Sequence, residues 1–318
     1  MIRDLPANQE VPDHVRDRDT ARRLRGAFNA ALRLSASYTA MLDVPRVADL
    51  SLMQDPAFAR ALIRCGQNPV VLPSGMIVLQ RRLWGLALAM LPRAAPPADL
   101  TAQLRAAGLH RTPLLLSPET ACPLPTRLCL RRPQRLLRLC LHAEPQAQRR
   151  ALHGKWRNQL RRAEQSAILL RIERLPPDPD HAVLRAEAQQ ARIKGYTHWP
   201  ATLTAAFAAE APDQTHLFRV LHRGETVAHM LFLTHGRRAT YHLGHTTPMG
   251  RQLHAHNFLL WRAMRHFAQS GHTEMELGPA TPRAPGLDRF KTRSGARSVP
   301  TGGTWLYWRP LDDRRSTA

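Results

Sequence analysis

Short apolar runs separated by turn residues divide the first half of the chain into helices and strands. Apolar residues at helical spacing followed by glycine predict two short helices, "DPAFARALIRCG" and "PPADLTAQLRAAG". Strands are predicted at "NPVVLPSGMIVLQRRLWGLALAML" (two or three strands turning at Pro-Ser-Gly), "TPLLLSPE" and "TRLCLRRPQRLLRL". The longest apolar run, residues 83–91, predicts a buried strand, because it is less than half of the roughly 20 residues that cross a membrane.

The second half begins with a long amphipathic helix. In "QAQRRALHGKWRNQLRRAEQSAILLRIERL" an apolar residue recurs every three or four positions, at Leu152, Trp156, Leu160, Ala163 and Ala167. After "PPDPD" follow two helices, "HAVLRAEAQQARIKG" and "ATLTAAFAAEA", and then the strand-rich "THLFRVLHRGETVAHMLFLTHGRRATYHLGHTTP". The helix "LHAHNFLLWRAMRHFAQSG", the strand "TEMELG", the short helix "GLDRFKTRSG" and the strand "GTWLYW" complete the chain. This order predicts an α+β fold, that is, helices mixed with antiparallel strands.

Composition narrows the setting of the protein. Residues 1–45 predict an N-terminal helical lead, rich in arginine and aspartate, with no basic segment followed by an apolar stretch as in a secretory signal. The four cysteines form no C-x-x-C pair, which argues against a zinc knuckle or a disulfide framework. We therefore expect a soluble, cytoplasmic protein without a membrane span.

The chain is strongly basic, with 46 Lys+Arg against 24 Asp+Glu and a formal net charge of +22. Such a charge attracts acidic partners: RNA, DNA, phosphorylated cofactors, acidic carrier proteins or anionic lipid. Residues 127–162 hold eleven Lys/Arg and one acid. They predict an anion-binding or nucleic-acid-binding surface, with a solvated helix face as the alternative; its residues are Arg149, Arg150, Lys155, Arg157, Arg161 and Arg162. The chain has only three lysines, Lys155, Lys194 and Lys291, and an ammonium is not interchangeable with a guanidinium group.

Four segments in order, "KWRNQLRRAEQSAI", "ATYHLGHTTPMGRQLHAHNFLLWRAM", "MELGPATPRAPGLDRFKTRSGA" and "GGTWLYW", resemble the FemAB-like branch of the GNAT (GCN5-related) N-acyltransferase superfamily. The resemblance is strongest over residues 150–308. It implies two tandem GNAT-like domains with mixed, largely antiparallel sheets flanked by helices. We expect a degenerate first domain at 46–145 and a FemAB-type acyltransferase domain at 146–318. Members of the family move an acyl or aminoacyl group from an activated donor to an amine.

The donor remains open at the level of sequence. GNAT enzymes that bind coenzyme A use a turn of the form Q/R-x-x-G-x-G/A, whose backbone amides cradle the pyrophosphate. Here the corresponding residues 251–256 read "RQLHAH", with histidines in place of the glycines. This departure, shared by FemAB-like proteins, favours aminoacyl-tRNA or an acyl carrier protein over acyl-CoA as co-substrate. We expect no tightly bound cofactor, and an amine acceptor that is a small molecule, a lipid precursor or a peptide.

The resemblance also implies the site residues. Lys291, in "FK" beside the acceptor channel, offers its ammonium to the oxyanion that forms during acyl transfer. His245 is a candidate base because an imidazole accepts protons near neutrality, and Glu276 is a candidate base or amine-binding residue. Glu276 and Glu274 share a strand face away from the expected core, with Glu274 predicted to face solvent on an edge strand. The predicted substrate-binding residues are Tyr241, His242, Arg251, Asn257, Phe290 and Arg293.

Three of these assignments have structural alternatives. Tyr241 and Leu243 are expected to share the strand face of His245, whereas His242 is also explained as a packed strand residue. Asn257 is also explained as a helix cap. No metal is expected, because His242 and His245 face opposite ways unless a bulge intervenes. The alternative to an enzyme is a non-catalytic protein of the same fold that binds RNA or an acidic carrier protein.

Overall fold

Two mixed β-sheets flanked by helices make up the structure. The computed structural model describes residues 50–83, 85–126, 128–281 and 284–308, so the predicted helical lead at 1–45 lies outside the described residues. The helices are α1 (Pro56–Arg64), α2 (Leu100–Ala106), α3 (Pro145–Arg150), α4 (Gly154–Glu164), α5 (Ala182–Lys194), α6 (Ala201–Glu210), α7 (Pro248–Gln252), α8 (Ala255–Gln269) and α9 (Pro285–Arg293). Two 3₁₀ turns lie at Leu52–Gln54 and Pro212–Gln214.

The strands confirm the expected α+β composition. They are β1 (Val70–Val71), β2 (Ile77–Leu83), β3 (Leu86–Pro92), β4 (Leu114–Ser117), β5 (Leu128–Arg131), β6 (Arg135–Cys140), β7 (Leu169–Arg174), β8 (Thr215–His222), β9 (Glu225–His235), β10 (Arg238–Thr246), β11 (Glu274–Pro279), β12 (Arg297–Pro300) and β13 (Thr304–Tyr307). The six-stranded sheet has the order β1-β2-β3-β4-β13-β5, and the seven-stranded sheet has the order β12-β6-β11-β10-β9-β8-β7.

The two sheets share one layout and exchange strands. Each has a single parallel pair among antiparallel neighbours, β3–β4 in the six-stranded sheet and β10–β11 in the seven-stranded sheet. Strand β6 inserts into the seven-stranded sheet, and the final strand β13 inserts at the equivalent place in the six-stranded sheet. The predicted division at residue 145 therefore does not separate the two sheets, because the sequence order of strands does not reveal which sheet each one joins.

Local sequence explains where the helices begin and end. Helix α1 starts at Pro56 after Asp55, whose carboxylate accepts a hydrogen bond from the Ala57 N–H at 2.8 Å. In α4 the predicted apolar stripe is buried through Trp156 and Leu160, and it packs on α8. Ala167 is exposed beyond the end of this helix, so the stripe was predicted one turn too long.

The apolar run at residues 83–91 is not one buried strand. It spans the end of β2, a turn at Gly85 and the whole of β3 except its last proline. Gly85 has φ +81°, a conformation that favours glycine, and the Leu86 side chain beside it is 73% exposed. The apolar composition of this run therefore did not reveal the hairpin turn between β2 and β3. Among the described residues no helix is long and apolar enough to span a membrane.

Three hydrophobic clusters hold the layers together. Helices α4 and α8 cover one face of the seven-stranded sheet, and its core includes Trp156, Phe232 and Met264. Helices α1, α5 and α6 cover the other face, around Phe58, Phe207 and Leu243. The six-stranded sheet packs on α2 through a third cluster that is mainly aliphatic, centred on residues such as Leu91, Leu114 and Leu104.

Candidate active site

The seven-stranded sheet opens between its two parallel strands. Strands β10 and β11 pair only from Arg238↔Glu274 to Thr240↔Glu276. Beyond this point β10 runs on to Thr246, and β11 continues to Pro279 paired with β6 but not with β10, so the two strand ends form the walls of an opening whose vertex is Glu276. Backbone groups along these walls have no partner strand between them, and such gaps in α/β sheets are places where ligands bind.

Lys291 lies on the β11 wall. Its side chain is 5% exposed, and Nζ donates a long hydrogen bond of 3.5 Å to the Pro279 carbonyl oxygen. A Cβ built on Gly278, which has φ +81°, would lie 3.8 Å from Nζ. Burial lowers the pKa of Lys291, whereas the negative charges of Asp288 and Glu276 raise it. The lysine is thus buried beside the opening and is not a surface lysine.

Glu276 is held at the vertex by residues from both sheets. Arg93, which follows β3 of the six-stranded sheet, donates from Nη2 to Oε1 of Glu276, and Arg138 of β6 lies 3.9 Å from Oε2. Burial raises the pKa of Glu276, and the charges of Arg93 and Arg138 lower it. The face of β11 that carries Glu276 does point away from the core of the seven-stranded sheet, as expected. It is nevertheless buried, because residues that follow strands of the six-stranded sheet cover it.

The same junction contains an ion network. Glu119 accepts two hydrogen bonds of 3.0 Å from Arg238, and Glu274 lies 3.4 Å from Arg238 and 3.7 Å from Arg138. Strand β11 is an inner strand, so the prediction of Glu274 as a solvent-facing acid on an edge strand is wrong. Arg93 has φ +56°, which is strained for a residue with a side chain and is typical of functional positions.

A bulge reshapes the β10 wall. The register between β9 and β10 shifts between Tyr241 and Leu243, which leaves His242 as the extra residue. Tyr241 therefore packs on Phe232 in one core, whereas Leu243 belongs to the core on the other face. The expectation that Tyr241 and Leu243 share a face is wrong, because the bulge breaks the alternation of strand side chains.

His242 has a packing role in this structure. Its Nε2 lies 3.0 Å from Thr204 Oγ1 of α6, and its ring meets Trp199 edge-on with centroids 4.7 Å apart. Burial lowers the pKa of His242 to about 4, so the ring is neutral at pH 7. These contacts match the alternative explanation of His242 as a packed residue rather than its predicted role in binding substrate.

His245 lies at the end of the β10 wall beside two histidines. Its ring stacks on His229 of β9, with centroids 5.6 Å apart, and its carbonyl oxygen lies 2.9 Å from His256 Nε2. Burial lowers the pKa of His229 to about 3 and that of His256 to about 4, and it also lowers the pKa of His245. His245 is therefore neutral near pH 7 and able to accept a proton. Within the described residues, no three potential ligands converge as a metal site.

The segment that replaces the glycine-rich turn keeps part of its shape. His254 precedes α8 with φ +51°, the left-handed conformation that glycine favours. His256 is mostly buried and bonds the β10 wall, so its ring occupies space that glycine would leave open. Arg251 in α7 donates to the Thr246 carbonyl oxygen at 3.1 Å. The side chain of His256 therefore occupies part of the space that a pyrophosphate would need in a glycine-rich turn.

The remaining predicted binding residues lie around α8 and α9. Phe290 packs between Trp156 and His256, with ring centroids 6.1 and 6.2 Å away, next to Lys291. Asn257 is buried, and its Nδ2 donates to Gln159 Oε1 at 3.4 Å. This bond joins α8 to α4, so Asn257 does not cap its helix.

Arg293 lies two residues after Lys291 at the end of α9. Its carbonyl oxygen accepts from the His153 N–H at 3.0 Å, which fixes the end of α9 against the start of α4. This backbone bond gives the Arg293 position a structural role.

The predicted anion-binding surface is partly engaged within the protein. Arg149 makes hydrogen bonds of 3.1 and 2.7 Å to Glu164 and lies over the Trp261 ring, while Arg150 is 3.7 Å from Glu144. The exposed basic side chains on α4 are Lys155, Arg157, Arg161 and Arg162. This helix is therefore the basic part of the surface.

Sequence reasoning missed three residues that the fold brings to the opening: Arg93, His229 and the buried Glu187 of α5. Arg93 belongs to the other sheet, and neither periodicity nor the resemblance pointed to it. His229 and Glu187 are polar residues within otherwise apolar faces of β9 and α5, and that conflict with the pattern was the available signal.

Comparison with known proteins identifies the domain that contains the opening. Residues 147–292 match the family model of the acetyltransferase (GNAT) domain. The structure is similar to that of FemX, with a TM-score of 0.68 and 12% identity over 88% of this chain and 98% of that chain. No curated protein matches the chain.

Two further solved structures share the fold. A conserved protein of unknown function from Bacteroides thetaiotaomicron has a TM-score of 0.59 and 12% identity, covering 86% of this chain and 96% of that one. The C-terminal domain (DUF2156) of a protein described as a lysylphosphatidylglycerol synthetase, from Agrobacterium fabrum, has a TM-score of 0.52 and 16% identity, covering 80% and 88%. These comparisons confirm the tandem GNAT-like fold and the resemblance to the FemAB-like branch.

Proposed function

We propose that this chain, whose residues 147–292 match the GNAT acetyltransferase domain and whose fold is similar to that of FemX, transfers an acyl or aminoacyl group from an activated donor to an amine. The observation that carries the proposal is the buried ammonium of Lys291 on one wall of the opening between β10 and β11. A buried charge costs free energy unless it meets an opposite charge, and in this site the forming oxyanion supplies one.

In the proposed reaction, Lys291 on the β11 wall and His245 on the β10 wall act on the donor and the acceptor. The donor carbonyl points its oxygen at Lys291, and a neutral amine attacks the carbonyl carbon. The new C–N bond forms and the bond to the leaving oxygen or sulfur breaks, while His245 accepts the proton lost by the amine nitrogen and passes it to the leaving oxygen or sulfur. Burial lowers the pKa of Lys291, and the negative charges of Asp288 and of Glu276 at the vertex oppose this shift.

A large acidic donor fits this chain better than free acyl-CoA. The side chain of His256 occupies the place of a glycine in the pyrophosphate turn, while α4 exposes four basic side chains, Lys155, Arg157, Arg161 and Arg162. Phosphate backbones bind such helices, and aminoacyl-tRNA combines a phosphate backbone with an activated acyl ester. The FemX fold is consistent with this donor, and an acyl carrier protein is the second acidic candidate.

The experiment has two parts. Native mass spectrometry of the purified protein identifies a co-purified tRNA, carrier protein or coenzyme A. Donors carrying a radiolabelled acyl group are then incubated with a small-molecule extract, and label is followed from the precipitable donor into a soluble amide. We expect transfer from aminoacyl-tRNA. Label that stays on all three donors, combined with salt-sensitive RNA or carrier binding, would instead favour a non-catalytic binding protein.

A further inference from the structure

Glu187 is a buried carboxylate that forms no ion pair with the described residues. It is 6% exposed, in the middle of α5. Other shielded glutamates are paired: Glu210 with Arg60 and Arg64, and Glu276 with Arg93. Within the described part of the chain no lysine, arginine or histidine nitrogen forms an ion pair with Glu187. Buried carboxylates are rarely left without a cation, because desolvation penalises the charged form.

Only neutral groups bond this carboxylate within the described residues. Tyr196 Oη donates to Oε1 at 2.8 Å, and Gln190 Nε2 lies 3.4 Å from Oε2. The nearby cations are Lys194, whose ammonium donates to Gln190 Oε1 at 2.9 Å, and His198. Burial raises the pKa of Glu187, while these hydrogen bonds and cations lower it. The Tyr196 ring is 38% exposed, so the group that covers the carboxylate reaches solvent.

The carboxylate lies behind the β10 wall of the opening. Gln190 Nε2 also donates to the Gly244 carbonyl oxygen at 3.2 Å, which ties α5 to the end of β10. Gly244 has no Cβ, and a Cβ there would collide with the Tyr241 hydroxyl group, which lies over this glycine. Burial raises the pKa of Tyr241, and the negative charges of Glu187 and of an ionised Tyr196 raise it further. Lys291 lies on the other wall, beside Gly278 and Pro279 of β11.

We infer that Glu187, with the hydroxyl groups of Tyr196 and Tyr241, forms a binding site for a primary ammonium at the β10 wall. The inference rests on the proposed function, in which the reaction needs an amine; an acceptor bound here as its ammonium gives up one proton to solvent before the neutral amine attacks. A primary ammonium has three donors, which match one carboxylate and two hydroxyl oxygens. Its source is the amine acceptor or the α-amino group of an aminoacyl donor; both present the same chemistry.

Carboxyl ¹³C NMR of glutamate-labelled protein tests the site without any acyl transfer. The signal of Glu187 is assigned by its loss in Glu187→Gln, and spectra are recorded over a pH series, so that the ionised form of the carboxylate is identified from its chemical shift. The probes are n-butylammonium, which represents an acceptor, glycinamide, which represents an aminoacyl group, and n-butanol, a neutral control of similar shape. We expect one or both ammonium probes to move the Glu187 signal, and n-butanol to leave it in place.

Matched variants quantify the effect. Because Glu187→Gln lacks the carboxyl signal, probe affinity in the wild type and in the variants is measured by isothermal titration calorimetry. In Glu187→Gln, whose amide still accepts from Tyr196, we expect the affinity for the ammonium probe to fall at least about tenfold, as for loss of a charge-assisted hydrogen bond. Glu225→Gln, at an exposed position on β9, keeps wild-type affinity, and equal melting temperatures show that both variants fold. Equal displacement by n-butanol, or wild-type affinity in Glu187→Gln, would overturn the inference.

The two proposals fail separately. Ammonium binding at Glu187 without transfer from any donor supports the site and removes the transferase. Transfer that persists in Glu187→Gln with unchanged KM for the amine and for the donor removes the site and keeps the transferase. Tighter binding of n-butylammonium assigns the site to the acceptor, and tighter binding of glycinamide assigns it to an aminoacyl donor.

Discussion

The two sheets have the same layout and different parallel pairs. In the six-stranded sheet β3 and β4 pair over four residues, to the last residue of each strand. In the seven-stranded sheet β10 and β11 pair over three residues and then separate. The connection between the strands differs as well: α2 has 7 residues, whereas α8 has 15 residues and is preceded by α7. A longer helix and a bulge at His242 accompany the open pair.

Titratable side chains follow the same division. The core of the six-stranded sheet is aliphatic apart from Tyr307. The strands and helix of the seven-stranded sheet hold five histidines that burial keeps neutral, with pKa values lowered to about 3 or 4, namely His216, His229, His235, His242 and His256. The same strand layout therefore occurs in two forms. In the six-stranded sheet the parallel pair stays closed and the core is mainly aliphatic, whereas in the seven-stranded sheet the parallel pair opens and titratable side chains are buried near it. What distinguishes them is where a strand pair ends and which side chains are buried at that point.

Replacing Lys291 tests the role of the opening between β10 and β11 most directly. We expect Lys291→Met to lower the rate of acyl transfer by about 10²–10³, the usual effect of deleting one oxyanion donor. The free energy of unfolding should stay equal or rise, because an apolar side chain replaces a desolvated charge. Label transfer and urea unfolding measure the two quantities. Arg105→Met, on the exposed face of α2, is the control, and a stable Lys291→Met protein with full activity contradicts the assignment.

Acid should destabilise the seven-stranded sheet first. The folded-state pKa values of His229 and His235 are about 3 and about 4, below the unfolded value of about 6.5. Between these values the unfolded chain binds more protons, so the free energy of unfolding falls as the pH drops below 6.5. Each histidine contributes up to about 1.4 kcal/mol per pH unit.

Hydrogen exchange, corrected for its intrinsic pH dependence, measures this acid effect sheet by sheet. Amides of β9 should lose protection between pH 6.5 and 5, ahead of those of β3 and β4. His235→Gln should reduce the slope of unfolding free energy with pH by one proton. Equal loss of amide protection in both sheets would show that they unfold together. The two sheets would then differ in their titratable side chains but not in their stability toward acid.

Arg93 tests what the six-stranded sheet contributes to the site. We expect Arg93→Gln to cost about 1–2 kcal/mol of stability, because Glu276 loses a partner in a mostly buried ion pair. The pKa of Glu276 should rise further, since the charge of Arg93 lowers it. The acid limb of the pH–rate profile should therefore move to higher pH. Arg105→Gln is the matched control. An unchanged pH–rate profile in Arg93→Gln would show that the six-stranded sheet does not contribute to the reaction through Arg93.

The smallest effect is expected on the surface of α4. Reversing two exposed charges, in Arg157→Glu with Arg161→Glu, should weaken binding of an RNA donor about tenfold or more and reduce the salt slope by about two. Binding is measured by filter retention at several salt concentrations. The control is Arg105→Glu with Arg111→Glu, on the six-stranded side. If both pairs weaken binding equally, the net charge of the whole protein, rather than α4, attracts the donor.

Sequence determined the local elements because their signals are local. Helical spacing and terminal glycines predicted α1, α2, α5 and α8, and alternating apolar residues predicted most of the strands. Four segments carried the family resemblance, and they pointed to Lys291, which the fold buries beside the opening. The turn at Gly85 was missed because the apolar run of residues 83–91 continues across it from the end of β2 into β3.

The tertiary structure decided which distant residues meet. The exchange of β6 and β13, the meeting of Arg93 with Glu276 across 183 positions, and the bulge at His242 all depend on strand pairing. Pairing is set by the total burial and hydrogen bonding of the whole chain, and no stretch of sequence encodes it alone. For the same reason, only the fold shows that Glu187 is buried beside a wall of the opening and forms no ion pair within the described part of the chain.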